Sequence, residues 1–336
     1  MPSAVITGTG MCVPERVVTN AELERLVDTS DAWIRTRTGI RERRLVAPGE
    51  QASTDLAEGA ARQALAAAGV PAQALDLIVV ATCTPDYPAM PAVAPLLAGR
   101  LGAERAGGFD LSLACTGFVA ALATVQAFVR SGAASTALVV GVDVMSSIID
   151  WSDRSTCVIF ADGAGAAVVR ASPAGDALAG GEVLHASLGM QGNETALVVP
   201  AGGSRRPLGA GDAALLARGD NRLRMAGQQT FRFAVTTMAA EIERAARAVG
   251  VSPAEFALVV PHQVNERIIA AAIERLGYPR ERVVIDIDRW GNTCGGSVPI
   301  ALDEAVRGGR VQPGDLVCLV AFGAGLSWGS AVLRWR

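Results

Sequence analysis

Two halves of this chain run through the same succession of patterns, and that repetition limits the fold more than any other feature. DLIVVATCT (76–84), a helical stretch reaching Arg100-Leu101-Gly102, GFDLSLACTGFVAAL (108–122) and ALVVGVDV (137–144) come in that order. FALVVPHQVN (256–265), a helix reaching Arg275-Leu276-Gly277, VVIDIDRWGNTCGGSVPIAL (283–302) and DLVCLVAFGAG (315–325) repeat it. A period of half the chain means two similar α/β units and not a solenoid. Strands alternating with helices imply mostly parallel sheets with helices packed on their faces. The division falls at 1–172 and 173–336, and the loops after strands are where such folds bind ligands.

Within the first half, residues 105–130 carry the chemistry. Phe109, Leu111 and Leu113 alternate with polar or small residues as a strand does. From Phe118 through Leu122, Val125, Phe128 and Val129 the spacing becomes helical. Cys115 sits at the junction, where free N–H groups and the helix dipole favour a thiolate. Gly117 lets another backbone or a substrate come close. The plain alternative is a small buried hydrophobe, and the stretch alone leaves both readings open.

The matching loops of the second half hold His262, Asn292 and the turn Gly323-Ala324-Gly325. A lone histidine is more often structural than catalytic, but this one ends the strand that matches the first half's. An amide such as Asn292 donates a hydrogen bond to developing negative charge without titrating. The glycine turn offers N–H groups for an oxyanion, or is simply a tight strand connection.

Elsewhere the chain is less informative. Trp33, Arg35, Arg37 and Arg41 cluster in a polar segment. An indole among guanidiniums suits an adenine ring and phosphates, although a solvated arginine face is the default from this segment alone. Asn20 is read as one helix cap, and Ser53 or Thr54 as the next. Asp162-Gly163-Ala164-Gly165 reads as a hairpin-like turn, and 172–222 as a poorly periodic junction.

Composition excludes several classes. The 336 residues carry a formal charge of −3, against a general nucleic-acid binder. All 30 basic residues are arginine, which rules out lysine Schiff-base chemistry. Six scattered cysteines and two histidines do not make a zinc site, so no metal is expected. No signal peptide or long apolar run is read, and the thiols suit a reducing, cytoplasmic setting.

Six segments together resemble the 3-oxoacyl-[acyl-carrier-protein] synthase III family, the initiating ketosynthases of the thiolase superfamily. They are DTSDAWIRTRTGIRERR (28–44), ACTGF around Cys115, DWSDRSTCVIFADGAGAA (150–167), VPHQVNERII (260–269), DRWGNTCGGSVPIALDEAVR (288–307) and AFGAGLSWGSA (321–331). The resemblance runs end to end. It implies a thiolase-like αβαβα five-layer fold, a homodimer, and a Cys115–His262–Asn292 site. The N–H groups of Cys115 and Gly325 would form the oxyanion hole. It also implies coenzyme A contacts at Trp33, Arg37 and Arg154, with adenine held between Trp33 and Arg154. Gly227, Phe231 and Asn265 would line the pantetheine channel, and Met90 would reach into the partner subunit's acyl pocket.

The implied reaction joins an acyl group from acyl-CoA, carried on Cys115, to malonyl-acyl carrier protein. It needs no cofactor beyond the coenzyme A thioester substrate, no nucleic acid and no membrane. Carrier docking is expected at Arg232, Arg267 and Arg275, helped by Arg205, Arg206, Arg222 and Arg224 and opposed by Glu274. Met90 and Gly295-Gly296 suggest a roomier acyl site. Two other readings stay open: a specialised-metabolism (polyketide) ketosynthase or acyltransferase for larger acyl chains, and an inactive structural partner.

Overall fold

The computed structural model describes residues 1–173, 178–209 and 211–336. Among these, nine strands join one mixed sheet. They are β1 (Ser3–Cys12), β2 (Leu77–Ala81), β3 (Gly107–Leu111), β4 (Thr136–Val144), β5 (Asp162–Ser172), β6 (Gly181–Asn193), β7 (Leu258–Pro261), β8 (Leu316–Gly323) and β9 (Gly325–Trp335). Their spatial order is β7-β8-β9-β6-β1-β5-β4-β2-β3.

Read outward from the centre, this order shows the duplication. One side runs β1-β5-β4-β2-β3 and the other β6-β9-β8-β7, with Val283 bridging to Val259 where the first half has β3. The pairing senses match as well: β2 with β4 and β7 with β8 are parallel, while β4 with β5 and β8 with β9 are antiparallel. The halves meet through a short antiparallel contact, Val5 opposite Glu182 and Ile6 opposite Gly181.

Seven helices cover and separate these strands: α1 (Asp31–Thr38), α2 (Ser53–Ala68), α3 (Val93–Leu101), α4 (Gly117–Ser131), α5 (Gly227–Ala248), α6 (Glu266–Leu276) and α7 (Ser297–Arg307). The matched helices α4 and α7 form the middle layer. Val119, Leu122 and Val125 pack with Val298, Ala301 and Leu302 between Val79 and Val139 of one half and Val260 and Leu319 of the other. Burying one such leucine contributes about 2 kcal/mol. Leu56, Ala60 and Leu97 of α2 and α3 cover the outer face of the first half at Ile78 and Val140. Met238, Ile242, Ile269 and Ile273 of α5 and α6 do the same for Val259 and Val320. The result is five layers: helix, one half of the sheet, helix, the other half of the sheet, helix. It explains why β2 is apolar at every position: alternate residues face two different cores.

Residues 114–131 have the length and mean hydropathy, 1.3, of a membrane-crossing segment. Their apolarity belongs to the middle layer, where 61% of the segment is buried.

Several local expectations change. Asp162, Gly163 and Gly165 open strand β5 and make no hairpin turn. A Cβ on Gly165 would fall 2.7 Å from the Ile300 nitrogen, so the glycines let α7 lie against the strand. The poorly periodic 172–222 stretch contains the 13-residue strand β6; its residues 174–177 and 210 lie outside the described residues. Ala52 caps α2 in place of Ser53 or Thr54, with its N–H bonded to Asp55. Thr19, not Asn20, caps the short helix Asn20–Leu23. The strand read at Phe109 and Leu111 is present as β3, and Phe109 is 37% exposed because β3 is the outermost strand of the sheet among the described residues.

Candidate active site

The two halves present matching turns to the same place. Short helical turns Ala114–Thr116 and Cys294–Gly296 precede α4 and α7. Each begins on a non-glycine residue in the left-handed region, Ala114 at φ 44° and Cys294 at φ 52°. Such backbone is costly, and it concentrates where geometry matters to function. By this match Cys115 corresponds to Gly295, and Asn292 stands earlier in its turn. The two turns are alike in backbone and unlike in chemistry.

Cys115, His262 and Asn292 come together at a mostly apolar cavity of about 270 Å³. Trp33, Arg37, Arg154, Gly227, Phe231 and Asn265 line the same cavity. Cys115 is buried, and its Sγ lies 3.6 Å from Sγ of Cys294, which is in turn 3.8 Å from Sγ of Cys83. The contact with Cys294 draws the Cys115 thiol below its ordinary range against the opposing effect of burial, and His262 adds to the lowering. Cys294, facing two other sulfurs in a buried place, is pushed up and keeps its proton. All six cysteines are unpaired.

His262 is completely buried at the end of β7. Its Nδ1 lies 2.6 Å from the Ser297 hydroxyl, while Nε2 has no partner among the described residues. Asn292 accepts the Cys294 N–H through Oδ1 at 2.9 Å. That bond assigns the amide's orientation and leaves its NH₂ as the donor end.

A buried aspartate that the sequence reading did not single out locks the surrounding loops. Asp143 Oδ1 accepts from the backbone of Cys83 at 2.8 Å and Thr84 at 3.1 Å, and from the Thr84 hydroxyl at 2.8 Å. Its Oδ2 accepts the Gly295 N–H at 2.9 Å, tying the loop after β2 to the turn before α7. Hidden inside the apolar run ALVVGVDV, it carries no motif of its own. Ser297 was missed too, and Gly323 was named only as part of a turn offering N–H groups. A Cβ on Gly323 would fall 3.0 Å from the Cys115 nitrogen, so this glycine, more than Gly325, is what seats β8 against Cys115.

At the cavity mouth, the Arg154 guanidinium lies 4.8 Å from the Trp33 ring centre and Arg37 lies 5.9 Å away. An aromatic ring between two faces needs about 7 Å, twice a contact of about 3.5 Å. The expected Trp33–adenine–Arg154 stack therefore requires Arg154 to swing out, breaking its 2.6 Å bond to the Asp28 carbonyl. Asn265 caps α6 through Oδ1 and donates to the Arg37 carbonyl, so its side chain holds the mouth together as well as lining it.

Met90 is 80% exposed and is absent from its own chain's cavity. The roomier site expected from Gly295-Gly296 is not there. Both glycines are buried, and a Cβ on Gly296 would fall 2.6 Å from the Gly163 carbonyl oxygen, so backbone has filled the space. Arg232, Arg267 and Arg275 are exposed, as is Glu274, and Arg267 rests 5.9 Å from the Phe231 ring centre. The helper arginines are less available than expected. Arg206 and Arg224 pair with Asp220, Arg205 pairs with Glu194, and Arg222 donates to the Ser147 carbonyl. Asp220 also pairs with Arg218, so one carboxylate faces three guanidiniums and the cluster stays net positive.

Residues 109–192 match the family model 3-Oxoacyl-[acyl-carrier-protein (ACP)] synthase III, and 246–335 match that of its C-terminal part. A beta-ketoacyl-[acyl-carrier-protein] synthase III of Symbiobacterium thermophilum is 49% identical over 98% of this chain and 97% of its own. Another, from a Roseiflexus species, is 50% identical over 99% and 98%. The chain belongs to the 3-oxoacyl-[acyl-carrier-protein] synthase III family. It is accordingly an acyl-transferring ketosynthase with the thiolase-like fold. The solved Pseudomonas aeruginosa 3-oxoacyl-(acyl carrier protein) synthase III superposes with a TM-score of 0.89 at 43% identity, covering 99% of this chain and 98% of that one. The priming beta-ketosynthase of the R1128 polyketide pathway gives 0.88 at 35% identity, covering 99% and 97%.

Proposed function

We propose that this enzyme carries out the initiating condensation of fatty-acid synthesis, joining an acyl-CoA-derived acyl group to malonyl-acyl carrier protein through acyl-Cys115. The observation that carries this reading is one apolar cavity holding a thiol of lowered pKa, a buried imidazole and an oriented amide. The Cys115 thiolate attacks the thioester carbonyl, with the N–H groups of Cys115 and Gly325 receiving the oxyanion. Coenzyme A leaves as its thiolate and takes a proton from solvent. Malonyl thioester then enters and loses carbon dioxide, and the electron pair left behind becomes an enolate. His262 Nε2–H and the Asn292 NH₂ group donate to the enolate oxygen. Its carbon attacks the acyl-Cys115 carbonyl, and collapse of that adduct regenerates the thiolate. Apart from that solvent proton, every step uses groups of the chain and its substrates, and no metal or other cofactor is called for.

Trp33, Arg37 and Arg154 are assigned to coenzyme A at the mouth, with Gly227, Phe231 and Asn265 along the pantetheine arm. Docking of the acidic carrier protein is assigned to Arg232, Arg267 and Arg275, whose field steers encounter and weakens with salt. A homodimer is favoured by β3, an unpaired sheet edge bearing an exposed Phe109, and by Met90, which is exposed in one protomer. Unpaired thiols suit a reducing compartment such as the cytoplasm.

Single-turnover labelling tests this reading. Acyl label from acyl-CoA should reside on Cys115 and vanish in Cys115→Ala. In Asn292→Ala, acylation should persist while malonyl decarboxylation falls about 10²- to 10³-fold, the usual effect of losing one such donor. Equal losses in both steps would refute the assigned division of roles. The flexible Met90 supports a second reading in which longer acyl groups are accepted. Acylation rates across acetyl-, butyryl-, hexanoyl- and octanoyl-CoA decide it; a steep fall after acetyl, not relieved by Met90→Ala, leaves acetyl priming.

A further inference from the structure

Two buried hydroxyls next to the nucleophile have no role in the steps above. Thr116, the residue after Cys115, and Ser327, in β9, are both completely inaccessible. Their oxygens lie 3.0 Å apart, and Ser327 Oγ donates to the Ala324 carbonyl at 2.9 Å. A serine hydroxyl has one proton, and Ala324 receives it. Thr116 must therefore be the donor to Ser327, which fixes the direction of the whole relay.

The Ala324 carbonyl shares its peptide unit with the Gly325 N–H. That unit is trans, so its C=O and N–H point in opposite directions from one rigid plane. Holding the carbonyl on Ser327 turns the N–H to the other side. A carbonyl that accepts a hydrogen bond also polarises its peptide and makes the N–H a stronger donor, and a second bond in series adds to this. The turn sits directly on the nucleophile, since Gly323 leaves no room for a Cβ against the Cys115 backbone. A small rotation of the 324–325 plane therefore changes where its N–H points relative to Cys115.

We propose that Thr116 and Ser327 are positioning residues for the oxyanion site, a two-hydroxyl relay that starts beside the nucleophile and fixes the orientation of the Gly325 N–H. The inference rests on the assignment of Gly325 as an oxyanion donor. Because the relay begins on the nucleophile's own turn, the Cys115 and Gly325 donors are set relative to one another.

The test compares Thr116→Val, Thr116→Ser and Ser327→Ala with the unaltered enzyme. Valine keeps the shape of threonine and removes its hydroxyl, and serine restores the hydroxyl without the methyl. Thr116→Val and Ser327→Ala should each acylate about 10-fold more slowly at saturating acyl-CoA, part of the effect of losing a whole donor. The KM for acyl-CoA and the pH profile of Cys115 alkylation should not move, and Thr116→Ser should restore the rate. The infrared carbonyl band of carbonyl-¹³C acyl-Cys115 should shift to higher wavenumber in the two slow variants, as a weaker oxyanion donor requires. An unchanged band, or a rate loss accompanied by altered Cys115 alkylation, overturns the inference while leaving the ketosynthase reading intact. Failure of the unaltered enzyme to form acyl-Cys115 would instead remove the reading on which it rests.

Discussion

The Ser297 hydroxyl lies 2.6 Å from Nδ1 of His262 and also receives the Gln263 N–H at 3.1 Å. Among the described residues Nδ1 is the one acceptor that the hydroxyl proton reaches, so the hydroxyl donates to Nδ1. The imidazole is then the neutral tautomer with its proton on Nε2, the nitrogen left without a partner at the cavity. A neutral donor is what an enolate oxygen needs, and a fixed tautomer means that no rearrangement precedes the step.

Ser297→Ala should therefore weaken condensation more than acylation. With Nδ1 unpaired, both tautomers become available, and malonyl decarboxylation is expected to fall about 10-fold, a share of the cost of a lost donor. Rapid-quench measurement of the two half-reactions checks this; equal slowing of both would contradict the tautomer assignment.

Cys294 is expected to set the reactivity of Cys115. Its contact is the largest cause of the lowered Cys115 pKa. In Cys294→Ala, the pH at which Cys115 alkylates at half its maximal rate should move up toward the ordinary thiol value of about 8.5. Iodoacetamide rates followed by peptide mapping give the profile, and an unshifted midpoint would leave His262 as the main influence.

Gly165→Ala tests the packing between halves. The new Cβ would fall 2.7 Å from both the Ile300 nitrogen and the Pro299 side chain, against backbone that cannot turn away. Overpacking of this kind costs about 1–3 kcal/mol, and thermal unfolding should show a lowered Tm. Because α7 carries Ser297, activity should fall as well.

The buried Asp162 carboxyl should give stability a dependence on mild acid. Burial raises its pKa to about 6, despite bonds from Val46 and Ser146 that favour the charged form. Between about pH 4 and 6 the folded chain holds this proton while the unfolded chain has lost it, so stability falls as pH rises through that window and then levels off. A pKa raised this far corresponds to about 3 kcal/mol. Asp162→Asn should remove this component from a plot of Tm against pH, and an unchanged slope would reject it.

That Cys115, His262 and Asn292 share one cavity was legible because each lies in a loop or turn of a repeated pattern, and because the six family segments lie around them. The alternation of Phe109 and Leu111 reported their strand correctly, without saying whether that strand has a neighbour on both sides. Asp162-Gly163-Ala164-Gly165 misled because glycines serve tight turns and close packing alike, and the demand for close packing came from α7, more than 130 residues away. Asp143 was invisible for a related reason: a carboxylate in an apolar run makes sense once its donors, Cys83, Thr84 and Gly295, are seen around it.

By itself the sequence determined two α/β halves, the residues at their matched loops and the family to which the chain belongs. These rest on local periodicity and on residue order, which a linear chain records directly. The tertiary structure decided which sulfur lies beside Cys115, which nitrogen of His262 carries the proton, how the Asn292 amide is turned, and which hydroxyls hold the 324–325 peptide. Except for the Asn292 amide, which a neighbour two residues on turns, each depends on a contact of 2.6 to 3.6 Å between residues distant in the chain. Only the packing of α4 and α7 between two sheets brings those residues together, and hydrogen-bond direction follows from where the partners are, not from what they are.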